Sequence, residues 1–143
     1  VACGGMLERI RNAVIGACNS FDCVYALLFG SRAAGVSREY SDVDVAVKFK
    51  DSKSCLRKSL DLMSLVEEEL GMRVDVVPLN IADTIIKYEV YSSGIILFCL
   101  DYDEYMDDYI NAVDEYMDFE PSFNRFYELT EREIRNACTG SEG

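Results

Sequence analysis

The chain contains no histidine and no tryptophan, and only two prolines. Without imidazole it lacks the commonest metal ligand and the usual acid–base group of neutral pH. None of its six cysteines (Cys3, Cys18, Cys23, Cys55, Cys99, Cys138) falls in a C-x-x-C pair, which argues against a zinc site. Positive charge is scarce: 14 lysines and arginines face 26 aspartates and glutamates, a net charge of −12. So acidic a surface repels phosphate backbones and argues against direct binding of nucleic acid. It suits cations or a basic partner, and a bound nucleotide would need a local exception. No run approaches the eighteen apolar residues of a membrane helix. The opening stretch VACGGMLERIRNAV lacks the apolar core of a signal peptide. Reduced thiols and a cytoplasmic location follow as the expectation. Met6 is a candidate start, with the first five residues a flexible extension.

What is present is a core. Half of the 143 residues are hydrophobic, enough for one domain spanning 1–143. Leu7, Ile10, Val14 and Cys18 share one helical face. CVYALLFG reads as a buried strand closed by Gly30, and DVDVAVKF as a second, alternating one. Leu56, Leu60, Met63, Val66 and Leu70 mark a helix that Gly71 ends in a left-handed turn. RVDVVP is a third strand stopped by Pro78. Asn80 caps a helix carrying Ile85, Ile86 and Val90, which runs out at Ser92-Ser93-Gly94. IILFCL is a fourth strand. The spacing of Tyr102, Tyr105, Met106, Tyr109, Val113, Tyr116 and Met117 predicts a helix over 101–118. Beyond Pro121, the residues Phe123, Phe126, Tyr127 and Ile134 begin a last helix. The expected fold is α/β (α+β): a small mixed sheet of about four strands, helices packed on one face, and a helical C-terminus. The core occupies about 6–100 and the C-terminal helices about 101–138.

Strand periodicity places the acidic residues. In DVDVAV, Asp42, Asp44 and Ala46 point to one face, and the three valines point to the core. By the same rule Asp75, between Val74 and Val76, faces the aspartate side. If the two strands are neighbours, three carboxylates converge. Two residues along a strand put Asp42 roughly 6–7 Å from Asp44. At an effective dielectric near 20 that repulsion is on the order of 2.5 kcal/mol per pair. A cation bound between them removes it. All-oxygen ligation by Asp42, Asp44 and Asp75 favours magnesium or manganese over zinc.

Ten residues separate Gly30-Ser31 from Asp42. A glycine at a strand end lets backbone N–H groups approach an anion. A serine opening a following helix can cap it and donate to phosphate. Arg32 and Arg38 in the same loop can offset phosphate charge. Gly-Ser after a strand is by itself an ordinary turn, and an S-D-V-D stretch by itself is a solvated strand edge. Their combination with a later lone aspartate in a valine strand is hard to explain as packing.

Gly30-Ser31, ten residues, then Asp42-x-Asp44 resembles the signature of the polymerase-beta-like nucleotidyltransferase superfamily. The small size and RVDVVPLN are similar to its minimal nucleotidyltransferases, which pair with HEPN ribonucleases in toxin–antitoxin systems. The resemblance covers about Val24 to Leu100 and no motif in the C-terminal helices. It implies a two-magnesium transfer of a nucleotide, AMP from ATP, to a hydroxyl. Asp42 and Asp44 would ligate both ions. Asp75 would complete one ion's site and stand nearest the attacking hydroxyl, as a candidate base. Gly30 and Ser31 would hold the phosphates. A chain this short has no room for a substrate-choosing domain, so the implied acceptor is a protein, a HEPN-type ribonuclease.

Two other readings stand beside this one. A non-catalytic antitoxin would keep the fold and occlude its partner, but a pure binder has no use for the like-charge penalty. A transferase acting on a small molecule such as an aminoglycoside would need an added domain. The stripe from Tyr102 to Met117 is either a face packed on the sheet or, in part, an exposed surface for a basic protein. An oligomer is compatible with the sequence.

Overall fold

The computed structural model describes residues 2–30, Ala33 and 42–118. A first helix, α1 (Ala2–Cys18), precedes strands β1 (Cys23–Phe29) and β2 (Val43–Phe49). Then follow α2 (Cys55–Leu70), β3 (Val74–Pro78), α3 (Thr84–Ser93) and β4 (Ile95–Cys99). Residues 102–118 form a further helix, α4. Residues 2–5, expected as a flexible extension, continue α1. The helix expected from Phe123 to Ile134 lies outside the described residues.

The sheet has the order β3-β2-β1-β4. β1 runs antiparallel to both β2 and β4, whereas β2 and β3 are parallel and joined through α2. The mixed four-stranded sheet is therefore as expected. The helices, however, lie on both faces rather than one. Val43, Val45, Val47 and Phe49 pack with Ile10 and Val14 of α1 and with Leu62 and Val66 of α2. On the opposite face Ala46, Tyr25 and Leu27 pack with Val90 and Tyr91 of α3 and with Tyr105 and Ala112 of α4. The physical reason lies in β1, which is buried at every position. A strand apolar on both faces needs cover on both.

Local chemistry explains two further departures. In α2 the buried residues are Cys55, Ser59, Leu62, Val66 and Leu70. Leu56 and Leu60, expected on the core face, are 59% and 53% exposed. Ser59 turns inward because its hydroxyl donates to the carbonyl of Cys55 at 2.8 Å, so no polar group is stranded. Gly71 does end the helix at φ 67°, its N–H bonded to Glu67 O at 2.8 Å.

Asn80 does not cap α3. Its side chain instead accepts from Phe49 N and donates to Phe49 O, both at 2.9 Å, in the manner of a backbone partner. The cap is Asp83, whose carboxylate accepts from Ile86 N at 2.8 Å.

A buried polar network fastens α4. The Tyr25 hydroxyl donates to Asp108 at 2.7 Å and so accepts from the Tyr91 hydroxyl at 2.5 Å. Lys48 donates to the same Asp108 oxygen at 2.7 Å. Burial, with the Tyr91 and Asp108 contacts, pushes the Tyr25 phenol well above its ordinary range, so it stays a donor.

The rotated face of α2 makes a direct test. Leu62→Ala should destabilise the protein by about 2–5 kcal/mol. Leu60→Ala should stay within about 0.5 kcal/mol of the parent. Urea unfolding of the two variants checks the assignment, and equal losses would contradict it.

Candidate functional site

The site is assembled where β1 ends and β2 and β3 begin. β1 stops at Gly30, whose φ of +78° is one that L side chains rarely adopt. A β-carbon placed on Gly30 would lie 2.4 Å from Asp44 Oδ2. Glycine is thus required twice, by its backbone conformation and by the carboxylate pressed against it.

Asp44 sits across from Phe29 in the antiparallel β1–β2 ladder and beside Asp75 in the parallel β2–β3 ladder. Asp42 lies just before β2 begins. Val43 and Val45 are buried on the other face, as strand alternation requires. β2 and β3 are neighbours and run parallel, which sets Asp44 and Asp75 side by side at one end of the sheet.

Electrostatics reflect this crowding. The Asp44 carboxyl is raised above the usual aspartate range, first by burial and then by the charges of Asp75, Asp42 and Glu89. Glu89, on α3, is the member that spacing does not reveal. Its nearness to Asp44 exists only because α3 packs across the aspartate-bearing face.

The donors are carboxylate oxygens, and the chain has no imidazole to add. That chemistry fits a hard divalent cation. Among the described residues, however, no three acidic or thiol side chains close around a single point. The convergence expected from the sequence thus reaches a shared sheet end and stops short of a closed cage. Ser31, Arg32 and Arg38 lie outside the described residues. Cys18, Cys23, Cys55 and Cys99 are free thiols and take no part in the cluster.

With this geometry in place, comparison with known proteins is informative. The family model described as polymerase beta, nucleotidyltransferase matches residues 13–103. The chain belongs to the polymerase-beta nucleotidyltransferase family. It is an enzyme of that family, a nucleotidyltransferase.

A candidate protein adenylyltransferase of Methanocaldococcus jannaschii is 36% identical over 92 residues, 62% of this chain and 95% of that protein. Protein adenylyltransferase MntA of Thermococcus cleftensis is 39% identical over 69 residues, 45% of this chain and 69% of that protein.

Among solved structures, one chain of a toxin–antitoxin complex with AMP-PNP superposes with a TM-score of 0.74 at 21% identity. The match covers 85% of this chain and 98% of that one. A chain from the complex of tri-AMPylated Shewanella oneidensis HEPN toxin with MNT antitoxin gives 0.71 at 19% identity, over 87% and 98%. At these identities the structures establish the shared fold.

The crowding at Asp44 has a pH signature. A carboxyl raised in the folded state binds its proton more readily there than in the unfolded chain. Its ionisation therefore opposes folding at neutral pH, and the penalty is relieved as pH falls through its raised range. Asp44→Asn should match or exceed the parent's stability at neutral pH, and the gap should close on acidification. Thermal unfolding of both proteins across acid and neutral pH, without metal, checks this. A variant markedly less stable at neutral pH would show that the ionised carboxylate supports the fold.

Proposed function

We propose that the protein transfers AMP from ATP, in a magnesium-dependent reaction, to a hydroxyl on a HEPN-type ribonuclease and so acts as its antitoxin. The observation that carries this reading is the parallel register that sets Asp44 beside Asp75 next to Gly30. Family membership supports the reaction class. The named activity of the relatives supports a protein acceptor, and the AMPylated toxin held by a protein of the same fold supports both the nucleotide and the partner. The reading treats the chain as one domain working in the cytoplasm. Among the described residues, no helix is long and apolar enough to cross a membrane.

In this reading Asp42 and Asp44 would hold two magnesium ions, and Asp75 would complete the site of one. When bound, the ions neutralise the triphosphate and lower the pKa of the acceptor hydroxyl. The Gly30 backbone and Ser31 hold the β and γ phosphates, and Arg32 and Arg38 offset their charge. Asp75 takes the acceptor's proton. The acceptor oxygen bonds to the α-phosphorus, the bond to the bridging oxygen breaks, and pyrophosphate leaves with that electron pair.

Incubation of the protein with magnesium, α-phosphate-labelled ATP and a HEPN-type ribonuclease should add one or more AMP groups to the ribonuclease, read by intact mass. Asp44→Asn should abolish the gain. Ser31→Ala should slow it about 10- to 100-fold, the worth of one charged hydrogen bond. An unmodified ribonuclease that is nevertheless inhibited would replace the enzymatic antitoxin with one that acts by occlusion.

A further inference from the structure

Helix α4 contains seven acidic residues and no basic one over 102–118. At 100° per residue, Tyr105, Tyr109, Ala112 and Tyr116 fall in one arc. Tyr105 and Ala112 are buried there against the sheet. Tyr102, Met106, Ile110, Val113 and Met117 fall within an adjoining arc of about 80°. Of these, Tyr102, Ile110 and Met117 are 63%, 51% and 52% exposed. Beyond this shoulder the next arc holds Asp103, Asp107, Asp114 and Asp118, none of which pairs with a cation among the described residues. Among the described residues, packing therefore accounts for one side of the tyrosine–methionine stripe and leaves the other uncovered.

From this arrangement we infer that the shoulder of α4 is the docking surface for the acceptor protein, which meets it with an apolar patch edged by lysine or arginine. The inference rests on the protein acceptor proposed above and adds where that acceptor is held. Charge decides among the occupants. A second copy of the chain would set acidic arc against acidic arc, since a two-fold interface pairs like surfaces. Residues 119–143 carry Glu120, Glu128, Glu131, Glu133 and Glu142 against Arg125, Arg132 and Arg135, so they add to the negative charge. A basic partner gains from the same field, in steering and in register. Tyrosine and methionine are the side chains that interfaces favour.

The surface is separate from the chemistry. Asp108 and Glu104 of α4 reach Lys48, and Lys48 lies four residues along β2 from Asp44, about 13 Å. The first turns of α4 thus stand apart from the aspartate end of the sheet, and its later turn meets Lys87 and Tyr88 of α3 through Glu115 and Tyr116. Substitutions on the shoulder should raise the KM for the protein acceptor and leave ATP binding unchanged.

The test uses the full chain and a HEPN-type ribonuclease from the same genome, with binding measured by surface plasmon resonance at low and high salt. Two variants are compared: Ile110→Ser with Met117→Ser, and Asp103→Lys with Asp107→Lys and Asp114→Lys. All the replaced side chains are exposed, and circular dichroism and magnesium–ATP binding confirm that fold and site persist. Each variant should bind the ribonuclease about ten-fold or more weakly. The charge-reversed one should also lose the salt dependence of the parent. If the parent binds and both variants bind equally well, this surface assignment falls while the transfer reaction stands. If the parent binds no ribonuclease and transfers nothing to it, both readings fall.

Discussion

The repulsion between carboxylates gathered at one sheet end is the constraint to which the rest of the fold answers. Asp44 is held beside Asp75 by the β2–β3 register and against Gly30 by the end of β1. Left to itself, such a cluster would push the strands apart. It is held by the face beneath it, where Val43, Val45, Val47 and Val74 are buried with the side chains of α1 and α2. Each fully buried valine contributes on the order of 1.5–3 kcal/mol. A few of them exceed the like-charge cost of one screened pair. The core on one face thus stabilises the chemistry on the other.

Among the described residues, the aspartate face is covered over only part of its length. α3 and α4 pack over Tyr25, Leu27 and Ala46, whereas Asp75 at the strand start is exposed. The Tyr25–Tyr91–Asp108–Lys48 network secures this division. It anchors the acidic helix toward the end of the sheet away from Asp44. One region of the face is therefore polar, partly open and anionic, and the other is packed. The outer side of the packed helix carries a second anionic field. Two acidic regions with different neighbours suit two different cationic targets, a metal at one and a basic protein at the other.

The edges of the sheet are managed by side chains. Arg11 of α1 donates to Leu97 O at 3.0 Å, covering carbonyl groups along the β4 edge. At the β3 edge Glu67 accepts from Val74 N at 3.1 Å. Edge strands with free backbone groups invite pairing with other chains. Here the two helices that cover the valine face also supply the groups that blunt both edges.

Much of this was legible in the sequence by periodicity alone. Alternating valines put Asp42, Asp44 and Asp75 on the face opposite the valines, and turn residues such as Gly30 and Gly71 marked where strand and helix stop. These signals are local, because a period of two or 3.6 residues is imposed by the backbone itself. What they could not convey was the choice between near-equal neighbours. Ser59 rather than Leu60 faces inward because an internal hydrogen bond satisfies its hydroxyl. Asp83 rather than Asn80 caps α3 because Asn80 is engaged by Phe49, thirty-one residues away. Glu89 adds its charge to the surroundings of Asp44, and helices cover both faces, only through packing between segments distant in the chain. The backbone's own periods determined which residues could share a face. Competition among long-range partners, which exists only once the chain has folded, decided which of them met.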